Sequence, residues 1–247
     1  MKKSKQLVLD VGNSRTKFGL FEDNTFKISG TCTAWTPKQW SDFHLKYSFS
    51  TVLLGSVGAM AKRTISMLPN TCTIHTVNNT TQYPFTSSYD DLQTLGIDRK
   101  AALAGAIKTH PNTPVLIIDA GSCITYDFIN ENAHHEGGAI SPGRNMRFQA
   151  LHLFTAKLPL LTPKKKNPVI GTTTHDSMRA GVEAGVIDEI QSQIDRFSQR
   201  YGKFTIILTG GDAEFLKNKI KNSIFADTDL ILKGLYHLLM FNMLHEK

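Results

Sequence analysis

The feature that most constrains this chain is a short pattern that occurs twice. Residues 7–21 read LVLDVGNSRTKFGLF, and residues 116–129 read LIIDAGSCITYDFI. In each copy three apolar residues lead into an aspartate, Asp10 or Asp119, and a glycine stands two residues later. One copy in each half of the chain predicts two related subdomains that face one cleft.

The residues after each aspartate suit a tight turn that binds an anion. The pattern predicts strand, turn and strand, and backbone N–H groups of such a turn can point at a phosphate. Gly12 removes the side chain that would block close approach, and a carboxylate can hold a hydrated divalent cation beside the anion. The pattern favours a nucleotide phosphate with its Mg²⁺. An ordinary hairpin with a charged tip is the alternative.

Composition limits the compartment and the partners. The chain has 247 residues, of which 40% are hydrophobic, so one large domain or two of ordinary size can form. It has no run of the ~18 apolar residues that a membrane span needs. Only three apolar residues follow the basic N-terminus, which is too few for a signal peptide. We therefore expect a cytoplasmic protein with no membrane partner.

The charge and the cysteines exclude further classes of site. A net charge of +7 favours anionic ligands. The densest basic clusters, residues 2–5 and 164–166, have no interleaved aromatic residues, so we expect solvated loops and no nucleic-acid partner. The three cysteines, Cys32, Cys72 and Cys123, are scattered, which argues against a disulfide framework or a zinc site.

Strand and helix patterns alternate along the chain. This alternation predicts an α/β protein with mixed sheets. Residues 110–114, HPNTP, end an Ala-rich helix and mark the predicted boundary. The predicted subdomains are therefore residues 1–113 and residues 114–247.

Several local predictions follow from residue type alone. Thr174 is predicted to cap a long helix over residues 177–201. His134 and His135 are predicted to form an exposed loop pair. The core is predicted to include Met146, Phe148 and Leu151.

Common nucleotide and hydrolase motifs are absent from the sequence. There is no Walker A motif, no GxGxxG that opens a helix and no GxSxG elbow. Thr209-Gly210-Gly211 follows a strand and allows backbone to pass close to an adenine or a phosphate. It also suits a strand-to-helix turn with Asp212 as N-cap.

Asp98 is the notable carboxylate outside the repeated turns, because it stands just before a helix. It can act as an N-cap, or it can receive the proton of a hydroxyl nucleophile in phosphoryl transfer. Arg99 beside it can contact a substrate carboxylate or a phosphate oxygen.

Six motifs, in order over nearly the whole chain, resemble those of type III pantothenate kinases. That family belongs to the superfamily of acetate and sugar kinases, Hsp70 and actin. The motifs are residues 10–17, Tyr89 with residues 96–99, residues 119–122, 137–143, 209–211 and 229–235. Thr174, seven residues before Gly181, stands where the family places a threonine that contacts the substrate.

The resemblance implies a fold and an activity. The fold is α/β, with two actin-like (ribonuclease H-like) subdomains, mixed sheets and a cleft between them. The activity is ATP-dependent phosphorylation of pantothenate to 4′-phosphopantothenate, the first step of coenzyme A biosynthesis. The alternatives are a non-catalytic transcriptional accessory factor of the same family and a related sugar or acid kinase.

The resemblance also assigns the site residues. Asp98 would accept the proton of the pantothenate hydroxyl. Asp119 would coordinate a monovalent cation, K⁺ or NH₄⁺, while Mg²⁺ accompanies ATP. ATP binding falls to Asp10, Val11, Gly12, Asn13, Ser14, Arg15, Thr16, Lys17 and Ser122. Pantothenate binding falls to Tyr89, Gly96, Ile97, Asp98, Arg99 and Thr174. Members of the family form homodimers, so the resemblance implies a homodimer. Ser14 and Ser122 stand where threonine is more usual, and each keeps a hydroxyl.

Overall fold

The computed structural model describes residues 5–12, 16–55, 59–164 and 168–245. The chain divides into two compact units. Unit 1 comprises residues 1–111, 133–135 and 229–247, and unit 2 comprises residues 112–132 and 136–228. The division into subdomains 1–113 and 114–247 stays a prediction. In the compact units the last segment of the chain belongs with the first.

The described residues form strands and helices in both units. The strands are β1 (Lys5–Val11), β2 (Thr16–Glu22), β3 (Thr25–Cys32), β4 (Thr51–Leu54), β5 (Thr73–Thr76), β6 (Thr86–Ser87), β7 (Val115–Ala120), β8 (Cys123–Ile129), β9 (His134–Pro142), β10 (Thr205–Thr209) and β11 (Phe225–Ala226). The helices are α1 (Pro37–Tyr47), α2 (Ala59–Ile65), α3 (Ile97–Thr109), α4 (Arg144–Leu153), α5 (Thr174–Tyr201), α6 (Ala213–Leu216) and α7 (Leu230–His245), with a 3₁₀ turn at Leu92–Thr94.

The two main sheets share one strand order. In unit 1 the order is β3-β2-β1-β4-β5, and in unit 2 the order is β9-β8-β7-β10-β11. In unit 1 the central strand β1 is antiparallel to β2 and parallel to β4. In unit 2 the central strand β7 is antiparallel to β8 and parallel to β10. The predicted α/β class with mixed sheets is therefore confirmed, and the repeated sequence pattern lies on corresponding strands.

Each central strand is apolar because it is covered on both faces. Residues 7–9 of β1 and residues 115–118 of β7 are almost fully buried. In contrast, exposed and partly buried residues alternate along β3 at the edge of its sheet. In unit 1 an aromatic cluster around Trp40 and Phe43 of α1 packs against the sheet. In unit 2 the core includes Val186 and Ile190 of α5.

Helix α3 packs against α7 within unit 1 at two glycines. A side chain on Gly105 would lie 2.7 Å from the carbonyl oxygen of Leu230, and one on Gly234 would overlap the carbonyl oxygen of Ala101. The two helix backbones therefore approach more closely than any other residue would allow. Helix α7 buries apolar side chains on several of its faces, including the consecutive residues Leu230, Ile231 and Leu232.

The histidine pair is not an exposed loop, so that prediction is wrong. His134 and His135 begin β9 and pair in parallel with Thr86 and Ser87 of β6. His135 is fully buried. The pairing partner lies 48 residues earlier in the chain and is only two residues long, so no local pattern announces it.

The prediction for the core of α4 is correct at two of its three residues. Phe148 is fully buried and Leu151 packs against its cluster. Met146 is 39% exposed, because it stands two residues from Phe148 and therefore on another face of the helix.

Within the part of the chain that the structure describes, no helix is long and apolar enough to cross a membrane.

We expect Gly234→Ala to destabilise the protein by about 1–3 kcal/mol, because the new methyl group forces α3 and α7 apart. Urea unfolding followed by circular dichroism measures this. Gly181→Ala in α5 is the matched control. No atom lies within 4 Å of its added methyl group, so the gain in helix propensity of about 0.5–1 kcal/mol should appear there. Equal stability of Gly234→Ala and the unmodified protein would contradict this account of the helix contact.

Candidate active site

The first predicted turn is a hairpin between β1 and β2. Asp10 pairs with Lys17, and Val11 pairs with Thr16, in antiparallel register. Val11 and Thr16 are buried, Asp10 and Lys17 are partly buried, and Gly12 is exposed. Asn13, Ser14 and Arg15 lie outside the described residues. The two predicted strands on either side of these residues are confirmed.

Asp98 lies inside the first turn of α3, so it is not the N-cap. The cap residue is Gly96, which has no side chain to accept a hydrogen bond, and the helix begins at Ile97. A side chain on Gly96 would overlap the Asp98 carboxylate, so glycine leaves room for that group. Asp98 is exposed. Among the described residues its carboxylate makes no hydrogen bond or ion pair, so it is available to accept a proton.

Tyr89 and Arg99, which the family resemblance assigns to pantothenate binding, lie together. Arg99 Nη1 donates a hydrogen bond of 2.8 Å to the Tyr89 hydroxyl oxygen. The guanidinium carbon lies 5.4 Å from the centre of the Tyr89 ring. Arg99 is only 5% exposed, so it is a buried cation one residue from the Asp98 carboxylate.

The hairpin and the start of α3 meet at Gly55 within unit 1. The Gly55 N–H donates a hydrogen bond of 3.0 Å to the carbonyl oxygen of Leu9, the residue before Asp10. A methyl group built on Gly55 would lie 3.6 Å from Ile97 Cγ2. The structure therefore brings the end of β1 close to the helix that carries Asp98.

The second turn, residues 119–122, lies against two glycine motifs of unit 2. The Gly143 N–H donates to the Ser122 carbonyl oxygen at 3.0 Å, and a side chain on Gly143 would lie 2.6 Å from that oxygen. Gly210 has φ +92° and faces the Asp119 carboxylate so closely that a side chain there would overlap it. Close backbone packing at Gly143 and at Gly210 explains why each position requires glycine.

Oxygen-bearing side chains line one sheet face at the second turn. Asp119 pairs with Thr209 on one side and with Thr125 on the other, and directly paired residues point to the same face. Thr209 is fully buried, and its Oγ1 has no hydrogen-bond partner among the described residues. A carboxylate next to an unpaired hydroxyl oxygen suits a hard cation.

Arg144 joins three segments of unit 2 and was not predicted from the sequence. It donates two hydrogen bonds of 2.7 Å to the Glu183 carboxylate and one of 2.8 Å to Asp212. Burial alone would lower the pKa of Arg144, but Glu183 and Asp212 raise it. Asp212 has the N-cap position of α6, but its side chain makes no capping hydrogen bond and pairs with Arg144 instead.

Glu189 of α5 is the acceptor of a second network. Its carboxylate accepts hydrogen bonds from Tyr126 at 2.9 Å and from Ser141 and Arg147. Burial alone would raise the pKa of Glu189, but these hydrogen bonds and the Arg147 charge lower it below its ordinary value. Ser141 belongs to the 137–143 motif, so this network ties the motif to α5.

Thr174 is the first residue of α5 rather than its cap. The cap is Thr173, whose hydroxyl oxygen accepts from the Asp176 N–H at 3.2 Å, so the predicted cap is wrong by one residue. Thr174 and Ser122 are both exposed. Along with Asp119 they belong to unit 2, whereas Asp10 and Asp98 belong to unit 1.

Within the described ranges, no group of three or more His, Cys, Asp or Glu side chains that could hold a metal ion occurs. Mg²⁺ that accompanies a nucleotide usually needs only one or two protein carboxylates, since phosphates and water supply its other ligands. The described carboxylates at the ends of the two central strands are Asp10 and Asp119.

Comparison with known proteins decides the family. The model of the type III pantothenate kinase family matches residues 6–196. The chain belongs to this family. A type III pantothenate kinase of Flavobacterium psychrophilum is 38% identical over 239 residues, which cover 95% of this chain and 98% of that one. The enzyme of Flavobacterium johnsoniae is 39% identical over 236 residues, with 93% and 95% coverage. The chain is therefore a kinase that phosphorylates pantothenate with ATP.

Solved structures show the fold. A chain from Campylobacter jejuni, described as a conserved candidate transcriptional activator of the Baf family, has TM-score 0.62 and 24% identity, with 96% and 98% coverage. The ethanolamine utilization protein EutJ from Carboxydothermus hydrogenoformans has TM-score 0.55 and 10% identity, with 96% and 91% coverage. At these identities the likeness concerns the fold alone. That fold is a mixed α/β fold with two mixed sheets.

The Glu189 network predicts a pH dependence of stability. Because the folded-state pKa lies below the unfolded value near 4.5, Glu189 stabilises the fold above that pH and loses this effect as pH falls through the folded pKa. Glu189→Gln should cost about 1–3 kcal/mol at pH 7, with a smaller difference at pH 3–4. Chemical unfolding at each pH measures both. The neighbouring exposed carboxylate variant Asp188→Asn should show neither effect. A difference between Glu189→Gln and the unmodified protein that does not change with pH would refute the role of ionisation.

Proposed function

We propose that Asp98 is the residue that receives the proton of the pantothenate primary hydroxyl. The observation that carries this proposal is the exposed Asp98 carboxylate in the first turn of α3, without a partner among the described residues and next to the Tyr89–Arg99 pair. As the hydroxyl oxygen attacks the γ-phosphorus of ATP, its proton moves to the Asp98 carboxylate. The bond from that phosphorus to the bridging oxygen of ADP breaks.

Arg99 and Tyr89 supply the substrate contacts on the same helix end. Pantothenate carries a carboxylate, and a buried guanidinium whose orientation Tyr89 helps to fix is suited to recognise a carboxylate. Gly96 and Ile97 form the start of α3 beside Asp98. By the family pattern, Thr174 of unit 2 is a further substrate contact. The unit 1 groups hold the hydroxyl in reach of Asp98.

The residues proposed to bind ATP are 10–17 at the first turn and 119–122 at the second. Both follow an apolar central strand, and Gly12 and Gly121 stand at corresponding positions. Turn N–H groups offer donors to phosphate oxygens. Asp10 would hold the Mg²⁺ that is bound with ATP, and that ion would neutralise phosphate charge. That the turns face one cleft remains a prediction.

Asp119 is proposed to coordinate the monovalent cation, K⁺ or NH₄⁺. The unpaired buried Thr209 Oγ1 on the adjacent strand supports this assignment, because an oxygen without a donor is a natural cation ligand. Such a cation would fix the second turn and lower the negative charge near the phosphates.

A homodimer is proposed through the end of α4 and the loop after it. Large apolar side chains are exposed there, including Phe154 at 86% and Leu153 at 73%. Exposed apolar groups close together in the chain mark association surfaces, and a second copy of the chain is the partner that the family pattern gives. Cytoplasmic location and the absence of a nucleic-acid partner also remain predictions.

Asp98→Asn should lower kcat by about 10²–10⁴-fold, because the amide cannot accept the proton. ADP release with and without pantothenate measures the rate, and an ATP-binding titration checks that the nucleotide still binds. Asp90→Asn, which changes another exposed aspartate of unit 1, should retain normal kcat. A near-normal rate for Asp98→Asn would exclude it as the base. Faster turnover with acetate or a hexose than with pantothenate would assign the same machinery to another substrate.

Thr209→Val should raise the K⁺ concentration that gives half-maximal activity by about tenfold or more, since the variant keeps the shape and removes Oγ1. Asp119→Asn should act in the same direction and more strongly. Initial rates across K⁺ titrations, at constant ionic strength with Na⁺, measure the effect. Unchanged K⁺ curves for both variants would place the cation elsewhere.

Phe154→Glu should convert the dimer to monomer, because it places a charge in an apolar interface. Sedimentation velocity measures the mass. Leu45→Glu changes a leucine that is 74% exposed on α1 and should leave the dimer intact. A dimer that persists with Phe154→Glu would move the interface to another face.

A further inference from the structure

His135 holds the ring of Tyr89 from within unit 1. Its ring is fully buried and stacks on the Tyr89 ring, with centroids 5.5 Å apart and an interplanar angle of 25°. His135 Nδ1 lies 2.8 Å from the Ser87 Oγ. This histidine therefore touches the face of Tyr89 and also the strand that precedes it.

Ser87 holds the backbone of the same tyrosine. The Tyr89 N–H donates a hydrogen bond of 3.1 Å to the Ser87 Oγ. The Ser88 N–H donates to the His135 carbonyl oxygen at 2.9 Å. The hydroxyl of Ser87 thus accepts from Tyr89 and still has one hydrogen to donate to His135 Nδ1. Both the main chain and the ring of Tyr89 are fixed by this pair of residues.

The fixed tyrosine in turn orients Arg99. The hydrogen bond from Arg99 Nη1 to the Tyr89 hydroxyl helps to fix the orientation of the whole guanidinium, because the group is rigid and planar. A run of contacts therefore leads from Ser87 and His135, through Tyr89, to the cation beside Asp98.

We propose that Ser87 and His135 are positioning residues for pantothenate, which act through Tyr89 on the guanidinium of Arg99. This inference rests on the proposed role of Tyr89 and Arg99 in substrate binding. His135 does not touch the reacting atoms. Its contribution is preorganisation, so that the substrate does not have to order Tyr89 and Arg99 on binding.

The chain provides a matched control in His134. His134 Nδ1 lies 2.7 Å from Thr86 Oγ1, and its Nε2 lies 2.9 Å from Ser88 Oγ. The two neighbouring histidines therefore bind the same short strand through similar hydrogen bonds. Among the contacts of the described residues, the stacking on Tyr89 belongs to His135.

Steady-state kinetics with both substrates tests the proposal. His135→Ala should raise KM for pantothenate about tenfold, as expected for lost ordering contacts, with kcat and KM for ATP within about twofold of the original values. His135→Phe keeps a flat ring and removes the hydrogen bond, so it should recover part of the loss. His134→Ala should leave KM for pantothenate unchanged. An equal rise of KM in both alanine variants would reduce His135 to a fold contact and overturn the proposal.

A double-mutant cycle separates positioning from general loss of structure. In a Tyr89→Ala background, His135→Ala should cause no further rise of KM, since the residue through which it acts is gone. Additive effects would overturn the proposal. If His135→Ala does not fold, Ser87→Ala carries the same test, because it removes one hydroxyl from a partly exposed site.

Arg99→Lys distinguishes failure of this inference from failure of the proposed site. If that variant leaves KM for pantothenate unchanged, the substrate site itself is wrong and the inference falls with it. If Arg99→Lys raises KM but His135→Ala and Ser87→Ala do not, the site stands and only the positioning role is overturned.

Discussion

The candidate site depends on the mixed pairing of one central strand in each unit. β1 is antiparallel to β2, so the chain reverses direction after the carboxyl end of β1. β1 is also parallel to β4, so β4 ends at the same edge, where Gly55 bonds to Leu9. β7 has the same two kinds of neighbour, and Gly210 follows the parallel one. Mixed pairing thus places a turn and a glycine together in each unit.

Polar networks keep the second of these edges in shape. Arg144 follows Gly143 directly and binds Glu183 of α5 and Asp212 after β10, so one guanidinium connects three segments. A buried cation of this kind is held by its two carboxylates, and loss of either would leave charge uncompensated. In the second network the Glu189 carboxylate of α5 accepts a hydrogen bond from Ser141 and so ties the 137–143 motif to that helix. The glycine motifs approach the turn closely because these networks fix their flanks.

Sequence reasoning worked where the signal was local. The repeated Asp-x-Gly pattern correctly predicted the strands beside each turn, and the family resemblance named Tyr89 and Arg99, which the structure brings together. It failed by one residue at Thr173, because neighbouring threonines are equally good caps. It missed the burial of His135 and the Arg144 network because their partners are distant in sequence. Long-range polar contacts leave no periodic pattern to read.

The contact between α3 and α7 has a consequence for synthesis on the ribosome. The helix that carries Asp98 packs on a segment made after the whole of unit 2, since residues 229–247 belong to unit 1. All segments of unit 2 are synthesised before the last segment of unit 1. Nascent unit 1 therefore exposes the face of α3 that contacts α7 until α7 has been synthesised, and exposed apolar surface of this kind favours aggregation.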